Sequence, residues 1–160
     1  MTCFAIHGLS RALGGPFGQR KKSEKIGGLL VPIVRVDIYA GFSATYKRAV
    51  LDAIHTALVH SFKIPVEDRN QTIREFAEED FDRSGGKSKQ FTMIEIVAFL
   101  GRSREAKREL YKEIASNLAR SPGISPNDVL ITLNEVELVN WGVQGGQIAD
   151  EVDLGFEVKV

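Results

Sequence analysis

The 160 residues include a single cysteine, Cys3, so no disulfide can form within the chain and the composition suits a reducing compartment. Three histidines and that one thiol make no cluster of metal-ligand spacing, which removes a structural zinc site. Charge of one sign is also missing: 21 basic side chains stand against 21 acidic ones. Without a basic excess there is no chain-wide attraction to polyphosphate, and nucleic acid is not expected as a partner. No apolar run approaches the roughly 20 residues of a membrane-spanning helix, so no membrane partner is expected either. What is present, 43% hydrophobic and 26% charged residues, is the composition of one ordinary soluble domain.

The charge is unevenly placed. Residues 1–31 carry Arg11, Arg20, Lys21, Lys22 and Lys25 against Glu24 alone, with Gly14-Gly15-Pro16 and Gly27-Gly28 interrupting any apolar period. This segment reads as a basic leader, disordered or foreign to the native product, followed by a domain over 32–160. Its charges follow its weak apolar stretch instead of preceding it, which disfavours a secretory signal, and a cytoplasmic location is expected.

A shift of 60 positions lays Val34–Glu75 on Ile94–Glu135 without a gap. Gly41, Ser43, Lys47, Arg48, Ile54, Leu58, Ser61, Ile64, Asp68, Thr72 and Glu75 fall on Gly101, Ser103, Lys107, Arg108, Ile114, Leu118, Ser121, Ile124, Asp128, Thr132 and Glu135. Shared punctuation between unrelated α/β units would explain Gly and Ser but not the full register, so the domain is one unit written twice, over about 32–76 and 92–137, with a tail over 138–160. Each copy opens with a β-branched run (33–39 and 93–99). A glycine, a serine N-cap and an amphipathic helix follow, then a second strand over 71–76 or 129–136. A β-α-β unit implies parallel strands and a right-handed crossover. Two copies predict an α+β fold, a four-stranded sheet with both helices on one face, and an uncovered apolar face that favours oligomerisation. Residues 77–89 read as a solvated loop, and the β-prone 155–160 as a strand offered to the edge of a neighbouring subunit.

Val31-Pro32-Ile33-Val34, Ile64-Pro65-Val66-Glu67-Asp68-Arg69-Asn70-Gln71-Thr72, Gly101-Arg102-Ser103 and the stretch from Asn134-Glu135 to Trp141 together resemble the tautomerase superfamily, nearest its malonate semialdehyde decarboxylase-like branch. The resemblance runs from Pro32 to about Trp141. It implies an enzyme without metal or organic cofactor, a homotrimer, and a small 2-oxo acid as substrate. It also implies that Pro32, as a free amino terminus, is the general acid/base. A neutral secondary amine near pH 7 is a good base, because an α-amine titrates near pH 8 and burial or nearby cations lower it. By the same resemblance Arg102 binds carboxylate or enolate, for which a guanidinium fork is suited, and lies where a helix amino terminus also favours anions. Asp68 orients water or assists proton movement, and Trp141 is an aromatic near the pocket, while Phe42 and Leu100 are expected as apolar neighbours that exclude water.

Two departures follow. Pro32 is here inside a Val31-Pro32 peptide bond, and an amide nitrogen is no base, so activity requires initiation at Val31 or cleavage after it. The branch carries a second arginine two positions before the first, where this chain has Leu100. The expected activity is therefore enol–keto tautomerisation. The alternatives are a decarboxylase or hydratase of a 3-oxo or unsaturated acid, and a noncatalytic oligomer with Pro32 blocked.

Overall fold

The computed structural model describes residues 31–155 and 157–159, so the leader expected over 1–31 lies, except for Val31, outside the described residues. Strand β1 spans Ile33–Tyr39, helix α1 Ala44–Phe62 and strand β2 Asn70–Phe76. The second copy repeats them as β3 (Thr92–Phe99), α2 (Arg104–Arg120) and β4 (Val129–Val136). Both helices start where the sequence places a serine cap: the Tyr46 and Ala106 amides donate to Ser43 Oγ and Ser103 Oγ, each at 3.1 Å. Helix α1 stops at Lys63, whose left-handed backbone (φ 54°) turns the chain away.

The sheet runs β2-β1-β3-β4, parallel within each unit and antiparallel where β1 meets β3. Arg35 lies opposite Glu95, its own counterpart 60 positions on, so an approximate two-fold axis passes between them. Strand alternation turns Val34, Val36, Ile38, Ile94 and Ile96 onto one face, where they meet Val50, Ile54 and Leu58 of α1 and Leu110, Ile114 and Leu118 of α2. The helices touch along their length, and Asn117 Nδ2 donates to the Ala53 carbonyl at 3.2 Å across the contact. Ile114 is fully buried at the centre of this layer. Ile114→Ala should cost about 2–5 kcal/mol, read as a lower urea midpoint at unchanged m-value.

The face away from the helices is less apolar than expected. Exposed Met93 and Leu130 share it with the pairs Arg35–Glu95 and Arg74–Asp37 (3.2 and 2.7 Å). One loop expectation is corrected. Residues 77–89 are not simply solvated, because Phe81 turns inward against Tyr39 and Phe91. Within the chain the described part of 155–160 pairs with no strand: Val158 joins an apolar cluster at the end of β3 and, with Lys159, covers Gly101. A short hairpin, β5 (Gly142–Val143) with β6 (Gln147–Ile148), closes the same end. Among the described residues no helix is long and apolar enough to cross a membrane.

Candidate active site

Strand polarity decides which residues meet. β1 and β2 begin, and β3 and β4 finish, at one end of the sheet, because β1 is parallel to β2 and antiparallel to β3. That end collects Pro32 before β1, Asp68 before β2, Leu100 and Arg102 after β3, and Trp141 after β4. Phe42, expected beside Pro32, is not there. It follows β1, at the opposite end, and stacks on Tyr46 at 4.1 Å. The duplication maps Phe42 onto Arg102, but the antiparallel β1–β3 pairing sends the two equivalent turns to opposite ends.

Asp68 is 2% exposed, and neither carboxylate oxygen has a hydrogen-bond partner among the described residues. It lies two residues before Asn70, which pairs with Ile33 at the start of β1. Burial, followed by the neighbouring Glu67 charge, raises its pKa from 3.8 to about 6. Its repeat counterpart Asp128 is equally buried but accepts from the Ser88 amide and hydroxyl at 2.8 and 2.7 Å, which holds its pKa below the ordinary value. One residue type at one repeat position thus has its charge held by hydrogen bonds in one half and left without a partner in the other.

A folded-state pKa near 6 against an unfolded value near 3.9 means that the native chain binds the extra proton between those values, so Asp68 lowers stability as pH rises through that window. In the 160-residue chain Asp68→Asn should raise Tm at pH 8, by on the order of 2 kcal/mol of stability, and give no gain below pH 4. Thermal melts across pH 3.5–8 check it; an equal gain at every pH would mean that the charge plays no part.

Arg102 is 5% exposed. Its Nη1 donates to the Phe62 carbonyl at 3.2 Å, the guanidinium stands 4.8 Å over the Phe62 ring, and Nε is buried without a partner. Desolvation lowers its pKa, opposed by Glu135. Glu135 was not singled out by the sequence reading. Its Oε1 accepts from the Gly101 and Arg102 amides at 3.2 and 2.9 Å, and Lys107 pairs with its other oxygen. The anion-seeking amides expected at this turn are therefore already taken by the chain's own carboxylate, and an incoming anion must rely on the guanidinium. The signal was present in the repeat, since Lys47 and Glu75 form the same bridge at 2.7 Å in the first half. Asn70, at the head of β2 beside Ile33, was also missed; its buried Nδ2 has no partner.

An apolar wall completes this end. Phe99 meets Trp141 edge to face at 5.1 Å, and Trp141 Nε1 donates to the Val136 carbonyl at 3.3 Å. Leu100 stays half exposed at the rim. His55 and His60 are bonded to the Val66 carbonyl and to Glu113. The first is buried against the core and the second lies at the surface.

A duplicated β-α-β unit with a buried, unpaired carboxylate and a buried arginine beside a strand-initial proline defines the class, and comparison with known proteins agrees. Residues 32–90 match the Tautomerase family and residues 68–144 the Tautomerase_2 family, both described as tautomerase enzymes. The chain belongs to the tautomerase superfamily. It is similar to the Probable tautomerase YrdN of Bacillus subtilis (strain 168), 25% identical over 122 residues, which are 73% of this chain and 94% of that protein. A solved malonate semialdehyde decarboxylase, described for its decarboxylase and hydratase activities, is 28% identical with a TM-score of 0.68, over 72% of this chain and 93% of that one. Native fused 4-OT shares the fold, with a TM-score of 0.68 at 20% identity over 75% and 98% of the two chains.

Proposed function

We propose that this chain is an enol–keto tautomerase of a small 2-oxo acid, acting once Pro32 is a free amino terminus. The observation that carries the reading is the asymmetry of the two sheet ends. Asp68 and Arg102 keep unpartnered polar atoms beside Pro32, while their counterparts Asp128 and Phe42 are bonded off or apolar. In the reaction the neutral Pro32 amine takes the enol O–H proton and returns it to C3 of the substrate. The enolate and the proline ammonium are the transient charges. Arg102 holds the carboxylate or the enolate oxygen, where charge grows in the transition state. Asp68 faces the ammonium and, by favouring the charged form, sets how readily the proton is given back. The apolar wall excludes water, and the substrate's own carbonyl is the electron sink, so the reading needs no cofactor.

Ketonisation of phenylenolpyruvate by a chain beginning at Pro32 tests this; absence of any acceleration over the spontaneous rate would refute it. A cytoplasmic homotrimer is part of the same reading, supported by fused 4-OT relatives solved as trimers.

A decarboxylase or hydratase of a 3-oxo or unsaturated acid is the second reading, favoured by the likeness to malonate semialdehyde decarboxylase and opposed by Leu100 standing where that branch has a second cation. Turnover of malonate semialdehyde would support it. A noncatalytic oligomer is favoured by the Val31-Pro32 bond as it stands, with Val31 2% exposed.

A further inference from the structure

Val31 belongs to no strand, yet it is among the most buried residues at 2% exposure. The cluster it fills is separate from the main core. It holds Phe99 and Ala149, with Trp141, Val143, Leu154 and Val158 packed around them. The other half of the molecule contains the same arrangement. Phe91, Tyr39 and Phe81 stand 60 positions from Val31, Phe99 and Trp141, and they too form their own buried cluster, with Phe81 4.9 Å from Tyr39 and 5.8 Å from Phe91 by ring centroid. At each end, therefore, the residue just before the first strand of a unit plugs an apolar pocket. Between the units the chain is continuous and the plug is permanent. At Pro32 the plug is the residue that must leave for the amine to be free.

Resting on the proton-shuttle reading, we infer that the pocket occupied by Val31 is the subsite for the substrate's carbon side chain and that it takes a short branched aliphatic group. The Val31 isopropyl group stands in for that side chain, attached one peptide unit from the proline nitrogen. A 2-oxo acid whose C3 is reached by that nitrogen places the C3 substituent on the same side as the lost valine, with its carboxylate left for Arg102. In 4-methyl-2-oxopentanoate that substituent is itself an isopropyl group. An apolar pocket emptied of its own side chain retains affinity for a ligand of like size.

The test compares the intact chain, its Val31→Gly variant and a chain beginning at Pro32. All six main elements lie within 33–136, and the two family matches span 32–90 and 68–144, so the shortened chain keeps what folds. Exchange of the C3 hydrogens with D2O, followed by proton NMR on the shortened chain, should give a kcat/KM about 10- to 100-fold higher for 4-methyl-2-oxopentanoate than for pyruvate, given about 0.8 kcal/mol per buried carbon. Phenylpyruvate, whose ring exceeds the valine it replaces, should fall below the branched acid. Trp141 is the only tryptophan and lines the pocket, so its fluorescence reads occupancy without catalysis.

Saturable quenching by unreactive 4-methylpentanoate, absent with acetate and absent in the intact chain, is expected for the shortened chain and for Val31→Gly. Exchange without preference for the branched acid, together with a silent Trp141, overturns the subsite and leaves the shuttle standing. No exchange on any acid with a saturating Trp141 overturns the shuttle and supports the subsite. Saturation of the intact chain equal to that of the other two overturns Val31 as the plug.

Discussion

A chain beginning at Pro32 should ketonise phenylenolpyruvate, while the 160-residue chain starting at Met1 should show no rate above background. The reason is local chemistry: in the Val31-Pro32 peptide bond the nitrogen lone pair is delocalised into a carbonyl, and no environment restores its basicity. Val31 adds a second block, because at 2% exposure it fills the pocket on the amine's apolar side. Pro32→Ala in the shortened chain should lower kcat by about 100-fold or more, the usual worth of a positioned acid/base group, and move the pH–rate profile, since a primary amine replaces a secondary one. Intact mass and amino-terminal sequencing of protein from the native host pair with this assay. A terminus at Pro32 with activity supports the mechanism; equal activity from the Met1 chain would sink it. Asp68 supplies an independent reading of the same event. At pH values where the freed Pro32 amine is protonated, its charge stands at the same end of the sheet as this unpaired carboxylate, so the stability gain of Asp68→Asn should shrink in the shortened chain.

Arg102→Met should cost about 10²- to 10³-fold in kcat/KM and leave Tm unchanged or higher. The magnitude is that of removing a donor aimed at developing negative charge. The stability half follows from burial: the guanidinium is 5% exposed, with Nε unpartnered and one bond to the Phe62 carbonyl, so desolvation is poorly offset in the resting protein. Methionine keeps the stem against the Phe62 ring and removes the charge. Glu135 does not become stranded by the change, because Lys107 and the Gly101 and Arg102 amides still hold it. Arg102→Lys should not rescue activity, since a point charge cannot form the bidentate fork. A fall in Tm in step with activity would instead assign Arg102 to holding the end of α1.

How far the chain could be read as a sequence is clear from particular residues. Ser43 and Ser103 could be recognised as caps because the cap interaction is local, two or three residues along the chain. The β-α-β units, their parallel strands and the shared helix face followed from periodicity and from the 60-residue repeat, which acts as an internal alignment. That repeat even contained the Lys47–Glu75 and Lys107–Glu135 bridges, although it did not say that Glu135 would also occupy the amides before α2.

Phe42 could not be assigned correctly by the same means. Its position in the repeat matches Arg102, and only the antiparallel pairing of β1 with β3 sends one to each end of the sheet. Phe81 likewise lies in a stretch whose composition is that of a loop, and it is drawn inward by an apolar cluster formed from distant residues. The difference between Asp68 and Asp128 is invisible in the chain, where both are an aspartate before a strand. One finds the Ser88 amide and hydroxyl, which lead the lowering of its pKa, and the other finds no partner and is raised by burial and then by Glu67. By itself the sequence determined the elements, their caps, the duplication and the proline, because these depend on short-range spacing and on residue chemistry. The tertiary structure decided which residues gather at the Pro32 end of the sheet, which carboxylate is left unpaired and what Val31 packs against, because these depend on strand direction and on burial among residues far apart in the chain.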